Sequence, residues 1–279
     1  MTDLSIKEAE KLLAGVVIPP RPSVVTAVME ERSRPEPDVQ RIAHLISSDV
    51  GLSAAMLKAI NSPLYGLRRS VTNIDQAVSL LGMKSVSSLV LGLALRKAMP
   101  TSGLERFWDS AARTALICSH LSKVLDTASR EDAYLFGLFR DCGIPLLIQR
   151  FPDYKATLGM ANNERERSFT VVEDERHGTN HAVVGSLLAS NWHLPDVLRD
   201  AIRNHHDLDV YQSSLPAEVL NLIAVGHVAS HIENSISRLA QDNEWEKQRH
   251  AVLGQLMLSE ADFEDMQRDT RELLSEAAC

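Results

Sequence analysis

Histidines crowd one stretch of this chain. Of the 10 present, His177, His181, His193, His205, His206, His227 and His231 all lie in the third quarter or just beyond it. Imidazole binds transition metals and moves protons near neutral pH, so its placement decides whether chemistry is expected. His181 shares a helical face with Val184, Gly185 and Leu188, and the glycine one turn on leaves room for a close neighbour. His205 follows Val197, Leu198 and Ala201 at helical spacing, which turns it to the packed side at its helix end, with His206 flanking it. Asp141 sits in the apolar segment Gly137-Leu138-Phe139-Arg140-Asp141-Cys142-Gly143. A carboxylate buried there needs a partner, because an unpaired buried charge is very costly. Two partners remain open: Arg140 or another arginine in a purely structural network, or the histidine cluster with a metal. Neutral imidazoles and a carboxylate suit iron, zinc or manganese.

The elements that must hold these residues read as helices. The composition is 44% hydrophobic, 24% charged and only 5% aromatic, which favours packed helices over a sandwich or barrel. A chain of 279 residues makes one large domain or two modest ones and needs neither disulfide nor structural metal to fold. The spacing of Cys118, Cys142 and Cys279 fits no disulfide framework or zinc set, and the first two read as inert core residues.

Apolar periodicity and caps predict a short amphipathic helix over 4–14, stopped by Val17-Ile18-Pro19-Pro20-Arg21-Pro22. Helices follow over 23–31 and 39–47, then one capped by Asp49 that ends at Asn61-Ser62-Pro63. Thr72 or Asn73 caps a helix ended by Gly82, and residues 84–98 form a helix apolar on nearly all sides. Met99-Pro100-Thr101-Ser102-Gly103 is the best boundary, dividing 1–102 from 103–279. Beyond it, helices are expected over 104–124 and over 130–151, the latter with a break at Gly143 or Pro145. A short helix with a polar stretch follows over 152–167, then helices over 181–192, from Pro195, and over 216–235. Two weaker acidic helices end the chain; they could pack as a cap, join a dimer or fray.

The net charge of −8, from 37 acidic and 29 basic residues, opposes nucleic acid and anionic membranes. Arg68-Arg69 and Arg96-Lys97 are too small to count as basic patches. The N-terminus lacks the apolar stretch of a signal peptide and no uninterrupted run of apolar residues is long enough to span a bilayer, so a cytoplasmic location and no membrane contact are expected.

Several of these segments carry a resemblance. Leu45-Ile46-Ser47-Ser48-Asp49-Val50-Gly51-Leu52, Ile60-Asn61-Ser62-Pro63-Leu64-Tyr65-Gly66 and Leu80-Leu81-Gly82 mark the N-terminal half. Phe107-Trp108, the Gly137–Gly143 segment, His181-Ala182-Val183-Val184-Gly185, Trp192-x-Leu194-Pro195 and Ile202-x-x-His205-His206 mark the second. Over about residues 15 to 235 the chain resembles the HDOD family, the HD-related output domain of bacterial signalling proteins. The resemblance implies an all-α fold, an N-terminal helical bundle packed on an HD-like helical domain. That family is similar to HD and HD-GYP phosphohydrolases, which hold one or two metals. In this chain Ser110 and Arg140 stand where two of their histidine ligands would be, and His227 stands at the late aspartate. Asp141, His181, His205 and His206 remain as a candidate set for one metal ion.

The resemblance therefore implies a non-catalytic regulatory module that binds a signalling protein, with a nucleotide as a further candidate ligand and no catalytic residue assigned. A cofactor-free histidine–aspartate–arginine network is the leading expectation for the cleft, with Arg140 gripping Asp141 in a bidentate contact. One iron, manganese or zinc ion is the alternative, and with it a single-metal phosphohydrolase acting on a nucleotide or cyclic dinucleotide. A homodimer is also open. The turn Asn61–Arg69 either locks two helices together or binds through Tyr65, Arg68 and Arg69.

Overall fold

In a computed structural model, residues 15–65, 67, 69–237 and 241–276 are described. The amphipathic helix expected over 4–14, the Gly66 turn, Arg68 and Cys279 lie outside them. Every regular element among the described residues is helical. The N-terminal bundle comprises α1 (Ser23–Arg32), α2 (Val39–Ser47), α3 (Val50–Ile60) and α4 (Ile74–Ala98), with a 3-10 turn at Pro63–Tyr65. The HD-like domain follows with α5 (Glu105–Leu125), α6 (Arg130–Phe139), α7 (Gly143–Arg150), α8 (Tyr154–Asn163) and α9 (Phe169–His177). It continues through α10 (His181–Asn191), α11 (Asp196–Asn204), α12 (Ala217–Ser237), α13 (Asn243–Gln255) and α14 (Glu260–Glu276).

Short polar side chains set the helix starts. Asp38, Asp49, Asn73, Asn180 and Asp242 each accept a backbone N–H from the first turn that follows, a contact that contributes about 1 kcal/mol. Gly82 does not end its helix as expected. It adopts φ 75°, ψ 167° and kinks α4, which then resumes its course; a side chain would strain that backbone. The result is one long helix with a window of mean hydropathy 1.7, long and apolar enough by composition to cross a membrane. The expectation from uninterrupted apolar runs missed this. The reason for the apolarity is packing: 56% of that window is buried, with α1, α2, α3 and α6 laid against the helix.

One apolar core runs from Val25 to Phe263 and joins both halves. Cys118 and Cys142 lie in it, as expected, and burial raises both thiols, Cys118 to about 12. The proline-rich segment before α1 ties back to the far end of α10. Trp192 Nε1 donates to Pro19 O at 2.9 Å, and Arg21 Nη1 donates to Trp192 O at 3.2 Å. At the start of α7 a Cβ on Gly143 would meet His181 O at 2.2 Å, so glycine alone lets α7 press on the first turn of α10. The described part of the acidic tail packs as a cap on the domain. Trp245 and Phe263 are buried, and α13 and α14 pack on α12. The Asn61 turn is a lock: its amide donates to Val71 O at 2.9 Å and accepts from Val71 N at 2.8 Å.

Candidate metal centre

Three chain segments deliver the cluster. Asp141 lies in the bend between α6 and α7, His181 opens α10, and His205 with His206 closes α11. One ligand-type atom from each of these four residues lies within 4.8 Å of all the others. His181 and His205 are fully buried, His206 is buried, and the Asp141 side chain keeps 31% of its surface open to a cavity of about 640 Å³. Three other histidines of the crowded stretch go elsewhere. His177 packs on Phe151 and Tyr154, His193 is an exposed helix-end residue with positive φ, and His231 stacks on Trp245.

The imidazoles are oriented from behind. His181 Nδ1 donates to Glu173 Oε2 at 2.7 Å, His205 Nδ1 to Ile202 O at 2.7 Å, and His206 Nδ1 to Glu244 Oε1 at 2.7 Å. A carbonyl or ionised carboxylate only accepts, so the proton sits on each Nδ1 and the Nε2 atoms face inward. His181 Nε2, His205 Nε2 and Asp141 Oδ1 are each 3.4 Å from the other two. That spacing is roughly the edge of a tetrahedron whose corners lie ~2.1 Å from its centre, an ordinary metal–nitrogen length. Outer carboxylates and carbonyls that fix the tautomer are the usual support of a metal-binding histidine. The cluster is therefore capable of coordinating a metal ion.

Electrostatics favours one positive charge there. Burial disfavours a charged His181, yet Glu173 and Asp141 outweigh it and raise its pKa to about 10. His205 is held well below the ordinary range by burial, reinforced by His206 and Arg140, and burial likewise lowers His206. Burial pushes the Asp141 carboxyl up, but Arg140 and the hydrogen bond from protonated His181 hold it well below the usual carboxylate range.

Arg140 meets Asp141 through one atom, not in the bidentate grip expected. Its Nε lies 3.3 Å from Asp141 Oδ2, while its Nη1 donates to Gly226 O at 2.9 Å. The fork is turned towards α12 by that carbonyl. The arginine and the imidazoles thus share Asp141, one on each oxygen, and the two partners posed as alternatives by the sequence coexist. Ser110 faces the same cavity and donates to Glu233 Oε2 at 2.7 Å; Arg113 donates to Glu233 Oε1 at 3.0 and 2.6 Å. His227 also lines it, with its pKa lowered to about 3 by burial and by Arg140.

Sequence reasoning missed Glu173, Tyr154, Glu233 and Glu244. Glu173 is fully buried, takes a hydrogen bond from Tyr154 and orients His181. It rides on α9, a helix not expected from the sequence, although Val172-Glu173 inside an otherwise charged run was the available signal. Glu244 comes from the tail.

A match to the HDOD domain spans residues 18–208. An uncharacterized protein of Treponema pallidum (strain Nichols) is 28% identical over 209 residues, covering 72% of this chain and 41% of that protein. Cyclic di-GMP phosphodiesterase CdgJ of Vibrio cholerae is 23% identical over 142 residues, 48% of this chain and 33% of that protein. This chain thus spans less than half of either curated relative, and the match alone does not locate the Vibrio activity in the shared third. Among solved structures, one from Shewanella amazonensis SB2B described as a "Putative phosphohydrolase" superposes with a TM-score of 0.71 at 24% identity, covering 95% of both chains. That likeness establishes the fold. His227, Glu233 and Glu244 lie beyond the matched domain.

Proposed function

The chain belongs to the HDOD domain family, and from that premise we propose that it is a non-catalytic signal-transduction module built around one metal ion held by Asp141, His181, His205 and His206. The observation that carries this reading is the orientation of three imidazoles by Glu173, Ile202 O and Glu244, which sets the Nε2 atoms of His181 and His205 3.4 Å from Asp141 Oδ1 and keeps His206 in the same cluster. Iron, manganese or zinc suits three nitrogens and one carboxylate oxygen. When bound, the ion would supply a Lewis acid to an oxygen ligand in the cavity. The chain's own part is to hold that geometry: Glu173 and Glu244 orient rings, and burial keeps His205 unprotonated. Signalling then proceeds by contact with a protein partner.

Two observations argue against turnover. Only one such ligand group is found among the described residues. Arg140, a permanent cation, occupies the ground beside it. The second reading, a single-metal phosphohydrolase, draws support from the opening of Asp141 to the cavity. Elemental analysis of protein purified without a chelating resin tests the centre, with about one ion per chain expected. Incubation of the same sample with bis-p-nitrophenyl phosphate separates the two readings. No ion in the purified protein removes the metal reading, and multiple turnovers lost in His205→Ala replace the non-catalytic module with the hydrolase.

A further inference from the structure

Beside the metal-ligand cluster the cavity has a second, differently built corner. Arg140 is 5% exposed and His227 is 3% exposed. A guanidinium carries five N–H donors. Arg140 spends one on Gly226 O, and its Nε, though close to Asp141, hydrogen-bonds to no protein atom. His227 is the next residue along from Gly226, and its buried Nε2 also finds no protein partner. Buried polar atoms are almost always paired, so two such atoms on adjoining parts of one cavity wall call for a common explanation.

We propose that this corner binds the phosphoryl group of a small phosphomonoester. The match is one of donors and acceptors. Phosphate oxygens accept from a guanidinium fork more effectively than from any other side chain. A phosphate monoanion also has a hydroxyl, so it can bond His227 Nε2 whichever role that nitrogen takes, whereas a carboxylate can only accept. The carboxylates around the cavity do not oppose an anion as bare charges. Asp109 is paired with Arg96, Asp141 with Arg140 and protonated His181, Glu244 with Lys247 and Glu233 with Arg113, while Asp242 is hydrogen-bonded to His231 and Asn234. Exposed Arg106 adds positive charge at the wall. The volume of about 640 Å³ is far larger than one phosphate needs and lies in the range of small-molecule sites. Phe107, Phe169 and Trp245 on the walls suit an apolar or aromatic remainder of the ester. The inference goes beyond the metal centre and holds with or without an ion there.

The test uses the full chain, both as purified and after chelation. Inorganic phosphate, adenosine 5′-monophosphate and adenosine are titrated in separate calorimetric runs, with sodium chloride at matched ionic strength as control. Saturable binding of phosphate or of the monophosphate, absent with adenosine and chloride, is expected. Tighter binding of the monophosphate assigns the site to an ester, and equal binding assigns it to free phosphate. His227→Leu should weaken binding roughly tenfold or more, the loss expected for a charge-assisted contact. Long-range ¹H–¹⁵N spectra of the wild-type imidazoles give a readout that needs no variant: phosphate should move the His227 Nε2 signal. The proposal is overturned if neither phosphate-bearing probe binds, if adenosine binds as well as its monophosphate, if folded His227→Leu binds unchanged, or if the His227 signal stays still at saturation. Because chelated protein is measured too, phosphate binding that survives chelation leaves this inference standing whatever elemental analysis of the purified protein shows for the metal centre.

Discussion

The two corners of the cavity are built by opposite logic. At Asp141, His181, His205 and His206 every Nδ1 has an acceptor behind it, and the inward atoms become lone pairs and a carboxylate oxygen once His181 gives up its Nε2 proton. At Arg140 and His227 the anchoring is sparse and the inward groups include a permanent cation. One corner presents electron pairs to a cation; the other presents charge to an anion. Asp141 stands between them with one oxygen on each side. Neighbouring residues in one chain can thus face ligands of opposite sign, because what matters is which atoms the surrounding acceptors leave inward.

The sharpest way to break this contrast is to remove one corner and measure both. His205→Ala should reduce metal content to background, since a four-ligand set loses a nitrogen whose ring is held by Ile202 O. It should lower phosphate affinity less than His227→Leu does, because the lost ring reaches the other corner only by way of their shared neighbour Asp141 and coupling of that kind is weaker than loss of a direct contact. His227→Leu should do the reverse. Elemental analysis and phosphate titration on both variants check this, and a parallel loss in the two assays would dissolve the distinction.

A smaller effect is expected behind the cluster. Glu173→Gln keeps shape but removes the charge that fixes His181, and changes of this kind weaken metal binding roughly 10- to 100-fold. Competition with a chromogenic chelator would measure it. An unchanged constant would mean that Glu173 serves only to satisfy Tyr154.

The pH dependence follows from His181, whose pKa rises from an ordinary 6.5 to about 10 because Glu173 and Asp141 outweigh burial. A raised histidine pKa stabilises the fold fully below pH ~6.5, and that contribution is lost as pH climbs through about 10. Chelated protein should therefore melt progressively lower from about pH 7 to 10. Metal binding must expel the His181 Nε2 proton, so affinity should increase over the same interval, with about one proton released per ion. Calorimetry in buffers of different ionisation enthalpy counts that proton.

How much of this was legible in the sequence differs between the same two corners. Asp141, His181, His205 and His206 could be proposed because each lies on an apolar helical face or in an apolar segment, and periodicity reports burial. Most helices followed from the same rule, and the caps at Asp49 and Asn73 from short polar side chains placed just before an apolar run. What periodicity does not report is which carboxylate stands behind a ring. Glu173 is a charged residue in a charged run, and nothing local says that α9 turns it inward against Tyr154. The contact of Arg140 depends on Gly226, far away in sequence, whose carbonyl draws the fork off Asp141. Gly82 shows the limit for backbone: its left-handed φ was foreseeable, but whether the helix stops or kinks was settled by the bundle around it.

The smallest effect belongs to the tail. Glu244 orients His206 from α13, beyond the matched domain, and its side chain keeps 17% of its surface exposed. It is also held by Lys247 at 2.8 Å, so the carboxylate stays placed by more than one contact. In Glu244→Gln the amide oxygen can still accept from His206 Nδ1, and water at the partly open site can replace what is lost. Metal affinity should fall by no more than about tenfold, the low end for such outer contacts, with melting shifted by only a few degrees. Equal losses in Glu244→Gln and Glu173→Gln would show that the cluster does not distinguish its fully buried support from its open one. A loss confined to Glu173→Gln would mark the tail as a cover laid over a centre whose tightest supports lie within the matched domain.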